Sequence, residues 1–253
     1  MKRLEKKIIA VAGGAGGIGT GLSTRYAAEG ASVVVGDIDL AAAQVVVAQI
    51  VAAGGTAVAA RVDIAEEESV RAFVARCEEV YGGLDGMHAN AASFKNMSSD
   101  TDVVGTDFDH WQYVMNVNAG GHLLCARYAI PAMLKRGGGS LVFTSSGAAH
   151  SPDTIHVCYS MAKAAIHALM RHVAVRWGRE GIRANVIAPG VILHPALEET
   201  APQLGEWGLK RQPLSYLGEP ADIAALGALL MSDEGHFITG QVLSVDGGAS
   251  MRP

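Results

Sequence analysis

Seven short apolar runs, separated by longer segments with helical periodicity, constrain the fold of this 253-residue chain more than any other feature. They lie near 8–12, 32–36, 57–62, 86–90, 140–144, 183–188 and 242–245, and they lack the polar alternation of half-exposed strands. Strands of that kind are buried on both faces, as in a parallel sheet covered by helices on each side. Helical patterns fall between them at about 18–29, 40–53, 66–81, 108–135, 157–180 and 220–231. The alternation predicts an α/β fold, a doubly wound sheet of about seven parallel strands with helices on both faces. No repeat, linker or low-complexity tract divides it, so residues 1–253 read as a single domain, long enough to bury one such core.

Charge and composition exclude several partners. A formal net charge of -5 and the lack of a long basic run give no field to attract nucleic acid or an anionic membrane. No apolar run approaches the ~18 residues of a membrane span. Lys2, Arg3, Lys6 and Lys7 precede an apolar stretch, but Gly13-Gly14 ends it too early for a secretory signal, and a buried strand is expected instead. The three cysteines, Cys77, Cys125 and Cys158, form no C-x-x-C pair. They suggest neither a disulfide framework nor a metal site, and a reducing cytoplasm is the expected location.

The first strand runs into Gly13-Gly14-Ala15-Gly16-Gly17-Ile18-Gly19. Glycines between a strand and a helix let the backbone approach a pyrophosphate, which the N–H groups of the helix start can hold. The run fits both G-x-x-x-G-x-G, on Gly13, Gly17 and Gly19, and G-x-G-x-x-G, on Gly14, Gly16 and Gly19. Asp37 ends the second strand, where a carboxylate can accept from ribose hydroxyls. No Arg or Lys lies in the loop or directly after Asp37 to neutralise a 2′-phosphate, so NAD is expected over NADP. Asp39 is the expected cap of the following helix.

Tyr159 and Lys163 lie one turn apart on one helix face if residues 157–180 are helical. An ammonium beside a phenol favours the phenolate and lowers its pKa. Taken alone the spacing is commonplace. Taken together, Gly13-x-x-x-Gly17-x-Gly19, Tyr159-x-x-x-Lys163, Asp63-Ile64, Ala89-Asn90-Ala91-Ala92, Asn118-Ala119-Gly120-Gly121, Ser146 and Asn185-x-x-x-Pro189-Gly190 occur in one order. The chain thereby resembles the classical short-chain dehydrogenase/reductases over essentially its whole length.

That resemblance implies a Rossmann-like NAD-binding domain and an NAD(H)-dependent oxidoreductase that interconverts a secondary alcohol and a ketone. It implies Tyr159 as general acid/base, Lys163 as the group lowering its pKa, Ser146 on the substrate oxygen, and Asn118 holding a water behind Lys163. The cofactor residues it implies are Gly13, Gly17, Ile18, Gly19, Asp37, Ile38, Asp63, Ile64, Asn90, Ala91, Pro189, Gly190 and Ile192, with Tyr159 and Lys163. It also implies a homotetramer or homodimer, and a substrate-covering segment at about 193–212.

The chain departs from the family pattern at Ala12, Ala89, Ala92, His194 and Tyr216. His194 stands where a Thr commonly helps hold the nicotinamide, so the family's usual anchor for that end is missing. The covering segment carries Glu198, Glu199 and Glu206 against Lys210 and Arg211, which favours a neutral substrate. Phe94, Ala148, His150, His156, His194 and Trp207 are candidate pocket residues for a small apolar alcohol or ketone, alicyclic or aromatic. A non-catalytic dinucleotide-binding or sensing protein of the same fold is the alternative reading.

Overall fold

Ile8, Ile9, Ala10, Val11 and Ala12 are all buried, and in a computed structural model that describes residues 2–251 they form an interior strand of a seven-stranded parallel sheet. In chain order the strands are β1 (Ile8–Ala12), β2 (Ser32–Asp37), β3 (Thr56–Arg61), β4 (Gly86–Ala89), β5 (Gly139–Thr144), β6 (Ile182–Pro189) and β7 (Val242–Val245). Their order across the sheet is β3-β2-β1-β4-β5-β6-β7. The winding reverses between β1 and β4, which opens a crevice at the carboxyl ends of these two strands. Ala12 lies opposite Gly36 on one side and Ala89 on the other, so the glycine loop leaves the sheet between Asp37 and Asn90.

The helices are α1 (Gly17–Ala28), α2 (Leu40–Ala52), α3 (Glu67–Tyr81), α4 (Phe108–Met115), α5 (Gly121–Leu134), α6 (Val157–Trp177), α7 (Pro195–Thr200), α8 (Gln203–Arg211) and α9 (Pro220–Met231). One face of the sheet packs Leu22, Tyr26, Val46, Ile50 and Ile223 from α1, α2 and α9. The other packs Phe73, Met133, Ile166 and Met170 from α3, α5 and α6. In α3 the pattern is transparent: Val70, Phe73, Val74 and Cys77 recur at helical spacing and are buried, Glu67 and Glu68 favour its positive end, and Gly82 ends it at φ +84°. Among the described residues no helix is long and apolar enough to cross a membrane.

Two differences from the sequence-based expectation bear on the site. The segment expected as one helix over 108–135 is broken by a π-helical turn at Asn116–Gly120. Nothing local marks it; the turn carries Asn118, whose side chain bonds the backbone of Ser93. The covering segment contains two helices, α7 and α8, where Pro195, Pro202, Gly205 and Gly208 read locally as breakers. Pro195 sits at the start of α7, where its missing N–H costs no helix bond.

Candidate active site

The glycine loop is shaped by close approach. The Gly13 and Gly14 N–H groups both donate to Gly36 O at 2.8 Å, and Gly13 has φ +78°. A Cβ on Gly19 would lie 1.9 Å from Gly13 O, so the first turn of α1 sits directly on the loop. The N-cap is Gly16, with no side-chain cap and no acidic residue in the first turn. The positive end of α1 thus presents its N–H groups to a cleft of about 880 Å³ that Gly13, Gly16, Gly17 and Ile18 line. This cradle fits the pyrophosphate of a dinucleotide.

Asp37 stands on the rim of the same cleft with its carboxylate held in place. One oxygen accepts from Ala15 N at 3.1 Å, the other from Asp39 N at 3.2 Å. Asp39 itself caps α2 by accepting from Ala42 N, as expected. Ile38, Asp63 and Ile64 line this end. Arg61 is opposite Asp37 in the strand register but lies outside the cleft lining. Across the crevice, the Asn90 and Ala91 N–H groups donate to Ala12 O. Pro189, Gly190 and Ile192, at and beyond the end of β6, complete the lining.

Tyr159 and Lys163 project from one face of α6 into this cleft. The Lys163 side chain is almost fully buried; its Nζ donates to Thr144 O at 3.0 Å and lies 5.6 Å from the centre of the Tyr159 ring. Burial pulls the Lys163 ammonium down to about 7. Burial also pushes the Tyr159 phenol up to about 12, against the lowering effect of a hydrogen bond with Ser146. The expected lowering of Tyr159 by Lys163 is therefore not what this geometry produces. Desolvation is the largest cause at both groups, and the phenol is a neutral proton donor at pH 7.

A residue that the sequence did not single out sets the start of α6. Asp100 is buried, and its two carboxylate oxygens accept from Cys158 N and Tyr159 N, both at 2.9 Å. Its carbonyl accepts from the N–H of His156, which has φ +63°. A carboxylate capping a helix far downstream leaves no local sequence signal. Asp100→Ala is expected to destabilise the protein by about 1–2 kcal/mol, read as a lower midpoint in thermal unfolding, with Asp100→Asn recovering part of the loss. Asp100, His110 and Cys158 also bring ligand-type atoms within 4.8 Å of one another. Both Asp100 oxygens already serve the helix, and the Cys158 thiol is pushed up to about 11 by burial and by Asp100. Asp100 and Cys158 are thus accounted for as a helix cap beside a neutral thiol.

The remaining candidates separate clearly. Asn118 is buried, and its amide clamps Ser93, accepting from Ser93 N at 2.7 Å and donating to Ser93 O at 3.0 Å. It is outside the cleft lining, so its side chain braces the wall where a water-holding role was expected. Gly19 acts through packing and is also outside the lining. Phe94 lines the cleft, its ring centre 5.7 Å from that of Tyr159. His194 lines it as well; Nδ1 accepts from Leu197 N at 3.3 Å to cap α7, and a Cβ on Gly17 would meet the ring at 2.8 Å.

Ala148, His150, His156 and Trp207 are not among the lining residues. The Ala148 N–H donates to Ser146 Oγ, His150 pairs with Ser250, His156 pairs with Asp153, and Trp207 stacks with Arg211. Leu197 and Leu204, from the two helices that the sequence did not reveal, line the cleft in their place.

Residues 13–250 match a family model described as enoyl-(acyl carrier protein) reductase. A probable short-chain type dehydrogenase/reductase of Bradyrhizobium diazoefficiens is 40% identical over 249 residues, covering 98% of this chain and 89% of the relative. A 2,5-dichloro-2,5-cyclohexadiene-1,4-diol dehydrogenase of Sphingobium indicum is 37% identical, covering 98% of each. Among solved structures, a 7α-hydroxysteroid dehydrogenase complexed with NADH and 7-oxo glycochenodeoxycholic acid superposes with a TM-score of 0.90 at 32% identity, covering 97% of this chain and 95% of that one.

Proposed function

The chain belongs to the short-chain dehydrogenase/reductase family and is an NAD(H)-linked oxidoreductase of alcohol and ketone groups; we propose that Tyr159 is its general acid/base and a neutral alicyclic alcohol its substrate. The observation that carries this reading is the convergence of Tyr159, Ser146 and Lys163 on the cleft that the uncapped end of α1 also enters. Bound there, the nicotinamide supplies or accepts the hydride. Tyr159 gives a proton to the carbonyl oxygen or takes it from the alcohol, and Ser146 hydrogen-bonds the same oxygen. Lys163 orders the floor of the site through the Thr144 carbonyl.

Phe94, Leu197 and Leu204 give the pocket apolar walls beside Tyr159. They suit a ring-bearing substrate, the kind named for the cyclohexadiene-diol and hydroxysteroid relatives. Residues 193–212 form its cover, and Glu198, Glu199 and Glu206 there oppose an anionic or acyl-carrier-linked substrate. Exposed Leu123, Met161 and Val175 on α5 and α6 support a homotetramer or homodimer joined through those helices. Three free, buried cysteines support a cytoplasmic location.

The test is a panel of alicyclic, steroidal and acyclic secondary alcohols with NAD, read as NADH absorbance. Turnover confined to the ring-bearing alcohols supports the proposal. NADH binding without turnover of any alcohol favours the non-catalytic reading instead. Cofactor choice is checked separately: NADH binds at least about tenfold more tightly than NADPH, a difference of about 1.4 kcal/mol, and Asp37→Ala narrows that gap in a fluorescence titration. Equal affinities in the wild type count against Asp37.

A further inference from the structure

Four side chains behind the glycine loop form a continuous hydrogen-bonded chain whose direction can be assigned. Asn90 Nδ2 lies 2.8 Å from Gly13 O, Thr144 Oγ1 2.9 Å from Asn90 Oδ1, His88 Nε2 3.0 Å from Thr144 Oγ1, and Tyr26 Oη 2.6 Å from His88 Nδ1. The Gly13 carbonyl can only accept, so the amide nitrogen of Asn90 faces it and Oδ1 faces Thr144. The Thr144 hydroxyl spends its single proton on Oδ1 and must accept from His88, which places the imidazole hydrogen on Nε2. A neutral ring then leaves Nδ1 as an acceptor, and Tyr26 donates to it.

Burial agrees with this assignment. His88 and Tyr26 are fully buried, and His88 is pulled down to about 3, so the ring stays neutral over the working pH range. Room for the terminal hydroxyl comes from α9, where a Cβ on Gly227 would lie 2.4 Å from Tyr26 Oη.

We propose that Tyr26 and His88 are positioning residues for the dinucleotide. Through Thr144 they lock the Asn90 amide in one orientation, and through Asn90 they hold the Gly13 carbonyl where the loop admits the cofactor. This rests on the dinucleotide reading of the cleft. An apolar residue at 88 leaves the Thr144 oxygen without its donor and its hydroxyl freer to rotate, so the Asn90 amide is no longer held in one orientation.

The test compares His88→Leu, His88→Gln and the pair Tyr26→Phe/His88→Leu by NADH fluorescence titration, thermal unfolding and steady-state kinetics. His88→Leu is expected to weaken NADH binding about tenfold or more, with kcat at saturating NADH within about threefold of wild type. His88→Gln, whose amide can still donate to Thr144, recovers most of the affinity. The double variant removes the stranded Tyr26 hydroxyl and so regains thermal stability, yet it keeps the weakened NADH affinity. That separation is what a merely structural role does not produce. Affinity that returns together with stability in the double variant, or that is unchanged in His88→Leu, overturns the proposal while leaving the cofactor site standing. Absence of NADH binding to the wild type overturns the dinucleotide reading and this proposal with it.

Discussion

Tyr159→Phe is expected to cut turnover by about 10²–10⁴-fold, the range that a general acid/base contributes, with NADH affinity within about twofold of wild type. The substitution removes one oxygen and keeps the ring that packs 5.7 Å from Phe94, so the cleft retains its shape. Asp100 bonds the Tyr159 backbone and not its side chain, so the start of α6 is also unchanged. The phenol is the group whose proton the chemistry needs. Its pKa of about 12 makes it a donor at neutral pH, which suits ketone reduction directly; alcohol oxidation requires the phenolate and is expected to accelerate as pH rises. Single-turnover rates with a substrate found in the panel, set beside an NADH titration, check both parts. Near-wild-type turnover by the variant would remove Tyr159 from its role.

Lys163→Met is expected to abolish most turnover and yet to raise thermal stability at neutral pH. Lys163 is buried, and among the described residues no carboxylate forms a salt bridge with it. Its pKa is about 7 in the folded protein against an ordinary 10.5. Below pH 7 both folded and unfolded chains carry the proton, and the full cost of a buried charge opposes folding. Between pH 7 and 10.5 the folded protein sheds a proton that the unfolded chain keeps, so wild-type stability rises with pH. Above 10.5 the penalty is gone.

Methionine has a similar length and no charge, so the variant escapes this cost, though Thr144 O loses its donor. The net gain is expected to be on the order of 1–3 kcal/mol at or below pH 7, with each kcal/mol shifting the unfolding midpoint by about 2–4 °C. The advantage shrinks as pH approaches 10.5. Unfolding midpoints measured across that interval check the sign; a variant less stable than wild type at every pH would mean that Lys163 is not strained by burial. A buried, unpaired charge that costs stability inside a cleft is what a functional site looks like.

The strands were legible because burial on both faces leaves a compositional record: each apolar run is itself the reason that segment is a strand. The glycine loop and Asp37 were legible for a related reason, since their roles follow from backbone freedom and charge next to a strand end. Asp100, Thr144 and His88 were not, because each acts through partners distant in the chain. Asp100 reaches Cys158 and Tyr159, Thr144 reaches Lys163, and His88 reaches Tyr26. The pocket histidines fared unevenly for the same cause: nothing near His150, His156 or His194 in the sequence says which way each ring turns, and only His194 lines the cleft.

By itself, then, the sequence determined the doubly wound sheet and the cofactor loop and pointed to Ser146, Tyr159 and Lys163, the three polar residues now proposed as the catalytic set, since these depend on periodicity, on residue type and on spacing within one element. The tertiary structure alone decided that Asn118 clamps Ser93, that His194 covers Gly17, and that Tyr159 is raised where Lys163 was expected to lower it. Those outcomes depend on desolvation and on contacts between separate elements, and neither is written in any single stretch of the chain.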